Sequence, residues 1–402
     1  MTIVLKRKNL RTILLSNRRT VPLFDFGVIS MHKRRICMIL VCIISITTTI
    51  SYGNENDTQL EISGQSAIVM DAGLGRVMYE KDIHKKLPMA STTKIMTALL
   101  AIENIPLDKK IKINPEAQGI EGSSIYLMAN ERVKARDLIY GLMLRSGNDS
   151  AAAIAYEVSG SIEDFAKLMN NRAKKIGAKN TNFTNPHGLH DENHYTTAYD
   201  LALITREALK NPVFKEVAKT KFWMADREGY KYFSNKNAIL DMYEGGDGVK
   251  IGYTMRAGRC LVASATRGNM QLIAVTLNDY NWFDTAARLL DESFSLYRPH
   301  TLFSEGQKIT KTGVLDGKSK EIYLNSFKGC IIPLAKGERG KLLTVIDIPK
   351  ILRAPIEKGQ SVGKMTTYLN GKILNTTYLV ADKSIEKQSF KDKVKEFFGI
   401  AG

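Results

Sequence analysis

The chain has 402 residues, 44% hydrophobic and 25% charged, proportions that exclude a disordered or collagen-like protein and allow two folded units plus a targeting segment. The net charge of +17 would suit nucleic acid, but nine Lys or Arg against Asp25 place +8 of it in residues 1–53. No stacking aromatics interleave the remaining basic runs, so a nucleic-acid partner is not expected.

From Met31 the text "MHKRRICMILVCIISITTTISYGNE" has a basic cluster, an apolar run from Ile36 to Ile50, and small residues at Ser51 and Gly53. These are the parts of a signal peptide. The run is shorter than the about 20 residues of a membrane span, so export with cleavage near Gly53 is preferred to a retained anchor. The first 30 residues have no role in that scheme, which makes Met31 a candidate start. Cys37 and Cys42 fall in this leader; Cys260 and Cys330 remain, without metal spacing. They can form one disulfide outside the cell or, as the preferred reading, stay as two buried thiols.

Residues 66–80, "SAIVMDAGLGRVMYE", predict a β-hairpin around a Gly-rich turn. In "ASTTKIMTALLAIENI", residues 90–105, Ile95, Met96, Leu99, Leu100 and Ile102 recur at helical spacing, so the helix buries a broad face. Residues 135–160 read as two apolar helical stretches interrupted at the polar "RSGND". Helices follow in "SIEDFAKLMNNRAKKIG" and "AYDLALITREAL", then three strands in "GVKIGYT", "CLVASAT" and "QLIAVTLN" with "RGN" as a hairpin turn. Strands on either side of a helical middle predict an α+β fold, one antiparallel sheet with helices packed on it. After Pro299 short alternating stretches broken by Gly, Lys and Asp predict a small all-β domain. In the tail, Phe390, Val394, Phe397 and Phe398 share a helical face opposite Lys391, Lys393 and Lys395. Such a helix either lies in a membrane interface or docks on its own domain.

The chemistry centres on Ser91 and Lys94. A serine needs a base to become a nucleophile, and residues three apart on a helix have Cβ atoms about 5–6 Å apart. A helix N-terminus also favours negative charge developing at the serine. Lys94 can act as base only if burial or a second cation lowers its pKa. Alone, the pair reads better as an ordinary N-cap serine and a snorkelling lysine, since S-x-x-K is common by chance. Two further stretches change this: "SGN", Ser146 to Asn148, inside an otherwise buried helical region, and "GGDGVKIGYT", which brings Lys250 onto a strand behind a Gly-rich approach. His187, His190 and His194 lie in a loop with no carboxylate at metalloprotease spacing, so no metal is expected. Asp200 is expected to be an N-cap; Asn235 and Asn237 are turn residues or cleft lining.

S-x-x-K, S-x-N and K-x-G in this order resemble the low-molecular-mass penicillin-binding proteins that are D-alanyl-D-alanine carboxypeptidases, over roughly residues 60–380. "NPHGLHDENHYTTAYDLALI", "AGRCLVASATRGNMQLIAV" and the β-rich region with its amphipathic tail are similar to the same family. The resemblance implies a β-lactamase/transpeptidase-like domain at 58–298 after a leader at 1–53, a β-rich domain at 299–382 and a membrane-associating tail at 383–402. It makes Ser91 the acylated nucleophile, Lys94 its base and Ser146 the proton relay to the leaving amine. Asn148 then binds the substrate amide, and Lys250 attracts the terminal carboxylate. With Gly252 on the same strand, the backbone N–H groups of Ser91 and about Tyr253 form the oxyanion hole. The implied partners are peptidoglycan stem peptides ending in D-Ala-D-Ala, β-lactam antibiotics and the outer face of the cytoplasmic membrane; no cofactor is implied.

One residue departs from the family: Ile251 stands where the third motif has threonine, whose hydroxyl binds the substrate carboxylate. A hydrogen bond to a charged group contributes about 1.5–3 kcal/mol, roughly 10- to 150-fold in affinity or rate, so weakened activity or altered preference is expected. Two rivals follow. A β-lactamase would need a glutamate-activated water, and no E-x-x-L-N stretch follows the second motif. Ile251 itself motivates the other, a catalytically impaired wall-binding or regulatory homologue.

Overall fold

The computed structural model describes residues 2–5, 60–391 and 394. The expected signal peptide at 31–53 and Phe397 and Phe398 of the tail lie outside the described residues. The expected hairpin of β1 (Ser66–Asp71) and β2 (Val77–Lys81) forms around the Gly-rich turn, and helices α1 (Lys94–Asn104), α2 (Ala135–Tyr140), α3 (Asn148–Ser159), α4 (Ile162–Ile176), α5 (Ala198–Ala208) and α6 (Pro212–Lys219) follow. Strands β3 (Gly246–Thr254), β4 (Gly258–Arg267) and β5 (Met270–Leu277) then complete a five-stranded antiparallel sheet in the order β2-β1-β5-β4-β3. Met70 pairs with Ile273 and Ile68 with Val275, so the two ends of this domain meet in its centre.

Cys260 to Ala265 of β4 are buried without alternation, which requires cover on both faces of the sheet. α7 (Trp282–Leu296) packs on β4 and β5, while α5 packs on β5 and β1, and α1 packs among α3, α5 and α6. α1 is the innermost helix: Ile95, Met96, Ala98, Leu99, Leu100 and Ala101 are all buried. β3 is the edge strand, and its free side faces the start of α1.

The β region begins at Tyr297, two residues before the expected boundary, because β6 (Tyr297–Phe303) continues directly from α7 and pairs with β9 (Cys330–Ala335). The other strands, β7 (Lys308–Leu315), β8 (Glu321–Ser326), β10 (Leu342–Asp347), β11 (Ile351–Arg353), β12 (Ser361–Leu369) and β13 (Lys372–Ala381), form one sheet in the order β10-β12-β13-β8-β7-β11, which Thr2–Leu5 extends beside β10. Arg76, in the β1–β2 turn, ties the regions together with a bidentate contact to Glu338 (2.6 and 2.8 Å) and a guanidinium stacked over Tyr297. Cys260 and Cys330 are both buried and unlinked.

Candidate active site

Ala90–Thr93 form a 3-10 turn and α1 begins only at Lys94, so Ser91 stands just ahead of the helix. No side chain caps this start, which removes the N-cap reading of Ser91. The Thr92 and Thr93 hydroxyls instead donate back to the Met89 and Ala90 carbonyls at 2.6 and 2.7 Å. Ala90 has φ +48, in the left-handed region where strain gathers at functional sites.

Lys94 is fully buried, not snorkelling. Its Nζ lies 2.8 Å from Ser91 Oγ, 2.7 Å from Asn148 Oδ1 and 2.7 Å from the His187 carbonyl oxygen. Burial pushes its pKa well below that of an ordinary lysine; the Lys250 charge is the next cause, Lys236 adds to it and Asp149 opposes. A neutral amine has two hydrogens and one lone pair. Asn148 Oδ1 and the His187 carbonyl can only accept, so when the amine is neutral they can take both hydrogens and leave its lone pair for the Ser91 hydroxyl. That is the polarity a general base requires.

The second wall comes from the interruption in residues 135–160. After α2 the chain widens into a π turn, Gly141–Arg145, and Ser146 takes the left-handed conformation at φ +64 before α3 opens at Asn148. Such π segments are frequent at functional sites. The Asn148 side chain is occupied at both ends, since Nδ2 donates to the Glu121 carbonyl at 2.6 Å. Asn148, expected from the resemblance to bind the substrate amide, holds the Lys94 amine and braces the 121–127 loop in this structure. Asp149 was missed. Its buried carboxylate accepts from the Ser124 hydroxyl at 2.6 Å and the Ile125 and Leu127 amides at 3.1 and 3.0 Å, which shapes that loop. Its adjacency to "SGN" was the available signal.

β3 supplies the third wall. A Cβ built on Gly252 would lie 2.7 Å from the Ser91 nitrogen and 3.0 Å from the Thr92 nitrogen, so only glycine lets the strand approach the nucleophile's amides this closely. Lys250 is buried and donates to the Ile251 carbonyl at 3.0 Å. Burial, with help from Lys236, lowers its pKa to about 7. Lys236 was overlooked between Asn235 and Asn237, which are turn residues: the Asn235 side-chain oxygen accepts from the Asn237 amide (3.0 Å) and that of Asn237 from the Ile239 amide (3.2 Å). Ile251 is partly exposed and Tyr253 largely so.

The histidines do not converge. His187 contributes its carbonyl to Lys94, His190 pairs with Glu192 at 3.1 Å, and His194 meets Thr93. Asp200 is not the cap of α5: Thr197 is, accepting from the Asp200 amide, while the Asp200 carboxylate accepts from the Asn180 amide (2.6 Å) and the Thr181 hydroxyl (2.9 Å).

Residues 53–281 match the family model described as D-alanyl-D-alanine carboxypeptidase, and residues 297–387 that of the C-terminal domain of penicillin-binding protein 5. The D-alanyl-D-alanine carboxypeptidase DacF of Bacillus subtilis is 34% identical over 391 residues, spanning 91% of this chain and 98% of its own. Penicillin-binding protein 5 of Haemophilus influenzae, a solved structure, is similar over 82% of this chain and 99% of its own at 29% identity and a TM-score of 0.69. A mutant of the DD-transpeptidase of Streptomyces K15, at 30% identity and a TM-score of 0.56, covers 59% of this chain and 100% of its own.

Proposed function

This chain belongs to the D-alanyl-D-alanine carboxypeptidase family of low-molecular-mass penicillin-binding proteins, serine-type peptidases, and we propose that it removes the terminal D-alanine of peptidoglycan stem peptides through an acyl-enzyme on Ser91. The carrying observation is the buried Lys94 amine, 2.8 Å from Ser91 Oγ and held by two groups that can only accept. In the forward step Lys94 takes the Ser91 proton as Oγ attacks the penultimate D-alanine carbonyl. The oxyanion is held by the Ser91 amide and an amide of β3 near Tyr253. The proton passes through Ser146 to the leaving amine, the C–N bond breaks, and D-alanine departs. Water then attacks the ester, with Lys94 again as base, and restores the Ser91 hydroxyl. A β-lactam follows the first half of this path and stays attached by its opened ring.

Lys250 is the cation for the substrate carboxylate. Ile251 supplies no hydroxyl there, so turnover is weaker than with threonine. The same residue supports a second reading, a cleft that binds wall peptide without turning it over. The mass of the intact protein after incubation with penicillin decides first: an adduct on Ser91, absent in Ser91→Ala, is expected, and its absence refutes the acyl-enzyme. D-alanine release from a D-Ala-D-Ala peptide decides second; an adduct without release, unrepaired in Ile251→Thr, favours the binding role.

We further propose export through residues 31–53 and peripheral attachment through 383–402, since Phe390 is 82% exposed on the tail's apolar face. No helix among the described residues is long and apolar enough to cross a membrane. Co-sedimentation with anionic vesicles should be lost when the chain ends at residue 382; equal sedimentation of both forms would refute tail attachment.

A further inference from the structure

His194 takes no part in the steps above, yet it is 3% exposed and both ring nitrogens are engaged. Nδ1 lies 3.0 Å from the Thr184 amide, which can only donate, so Nδ1 is the unprotonated nitrogen. The proton therefore sits on Nε2, 2.8 Å from Thr93 Oγ1. Thr93 in turn donates to the Ala90 carbonyl at 2.7 Å. The result is a chain of donors in one direction, from Thr184 through His194 and Thr93 to the left-handed residue that precedes Ser91. The same loop grips this turn elsewhere. The Pro186 carbonyl accepts from Thr97 at 2.6 Å, and a Cβ on Gly188, at φ +87, would fall 1.9 Å from the Ala90 oxygen.

We propose that His194 is a positioning residue for the nucleophile: its neutral Nε2–H form locks Thr93, Thr93 locks Ala90, and the strained turn holds Ser91 Oγ on the Lys94 amine. This rests on Ser91 being the nucleophile. Strained backbone persists only where its surroundings over-determine it, and the His194 side chain reaches Thr93 of this turn from a remote segment. Protonating the ring would put a hydrogen on Nδ1 against the Thr184 amide and break the chain. Burial guards against this, holding the pKa at about 4; His190 and Lys94 act in the same direction, Asp191 opposes, and the Phe183 ring packs edge-on.

The test is the second-order rate of acylation of the full chain by a fluorescent penicillin, measured well below the melting temperature of each variant. His194→Leu and Thr93→Val should each slow acylation about tenfold or more, since a small misplacement of reacting groups can cost up to about 10²-fold. Glutamine can offer its oxygen to Thr184 and its amide hydrogens to Thr93, so His194→Gln should recover most of the loss. In nitrogen-detected NMR at neutral pH the His194 ring should carry its proton on Nε2. Unslowed acylation in folded His194→Leu, or an Nδ1–H ring, overturns the proposal and leaves a core histidine. If His194→Leu does not fold, Thr93→Val decides, because it removes the same link with the histidine in place. Failure of the unmodified protein to label refutes the nucleophile reading; labelling with no slowing in the variants refutes the positioning role alone.

Discussion

Every buried Lys, His and Asp among the described residues lies between Asp71 and Asp279, in the domain that holds Ser91. The β region from Tyr297 to Ala381 buries no such group: its buried polar side chains are the hydroxyls of Thr312, Ser326, Thr366, Thr367 and Thr377, around Ile322, Leu324, Ile332, Leu334 and Leu379. A buried amine costs stability unless polar partners surround it, and Lys94 has partners from three segments, with Asn148 Oδ1 and the His187 carbonyl as its fixed acceptors. The comparison teaches where this protein carries its destabilising features: the α+β domain holds amines and a left-handed alanine in place at the proposed site, and the β domain has no comparable demand.

The largest effect should come from Lys94→Met. Acylation should fall about 10²- to 10⁴-fold, the contribution of a general base, while stability drops only by about 1–3 kcal/mol because Asn148 Oδ1 and the His187 carbonyl lose a donor. Equal acylation in this variant would break the assignment of the buried amines to catalysis.

Ile251→Thr should raise kcat/KM on a D-Ala-D-Ala peptide by about 10- to 150-fold; no gain refutes the account of the altered motif. The third effect depends on pH. In the proposed mechanism Lys250 attracts the carboxylate only while protonated, and burial lowers its pKa to about 7, so kcat/KM should decline as pH rises through about 7 at constant Lys94 ionisation. Beyond that value the loss approaches about tenfold per pH unit, the slope of a single titrating group. Lys250→Arg, charged at all working pH, should remove that limb, and a limb that persists there assigns it elsewhere.

The smallest expected effect on chemistry sharpens the contrast from the other side. Leu324→Ala in the β core should cost about 2–5 kcal/mol in unfolding free energy and leave the acylation rate of the folded protein within about twofold, because distant sites act independently. Acylation that falls with β-domain stability would join the two regions energetically and end the comparison.

Much of the architecture was legible in residue order. Helical apolar spacing placed α1, and short apolar runs separated by turn residues placed the hairpin and the closing strands. The tail and signal peptide remain expectations from composition. The three motifs singled out Ser91, Lys94, Ser146, Asn148 and Lys250, and the resemblance they carry implied that these share one cleft. Asp149, Lys236 and His194 were not read as parts of it, since a carboxylate, a lysine and a histidine are unremarkable until their neighbours are known.

By itself, then, the sequence determined which groups could react and on which elements they lie. Only the tertiary structure decided the surroundings in which they react: the acceptors around the Lys94 amine, the left-handed turns at Ala90 and Ser146, and the partners of the His194 ring. The partners that set the Lys94 state lie 54 and 93 residues away in the chain. Hydrogen-bond direction and desolvation depend on what folding brings alongside, and no local pattern encodes that.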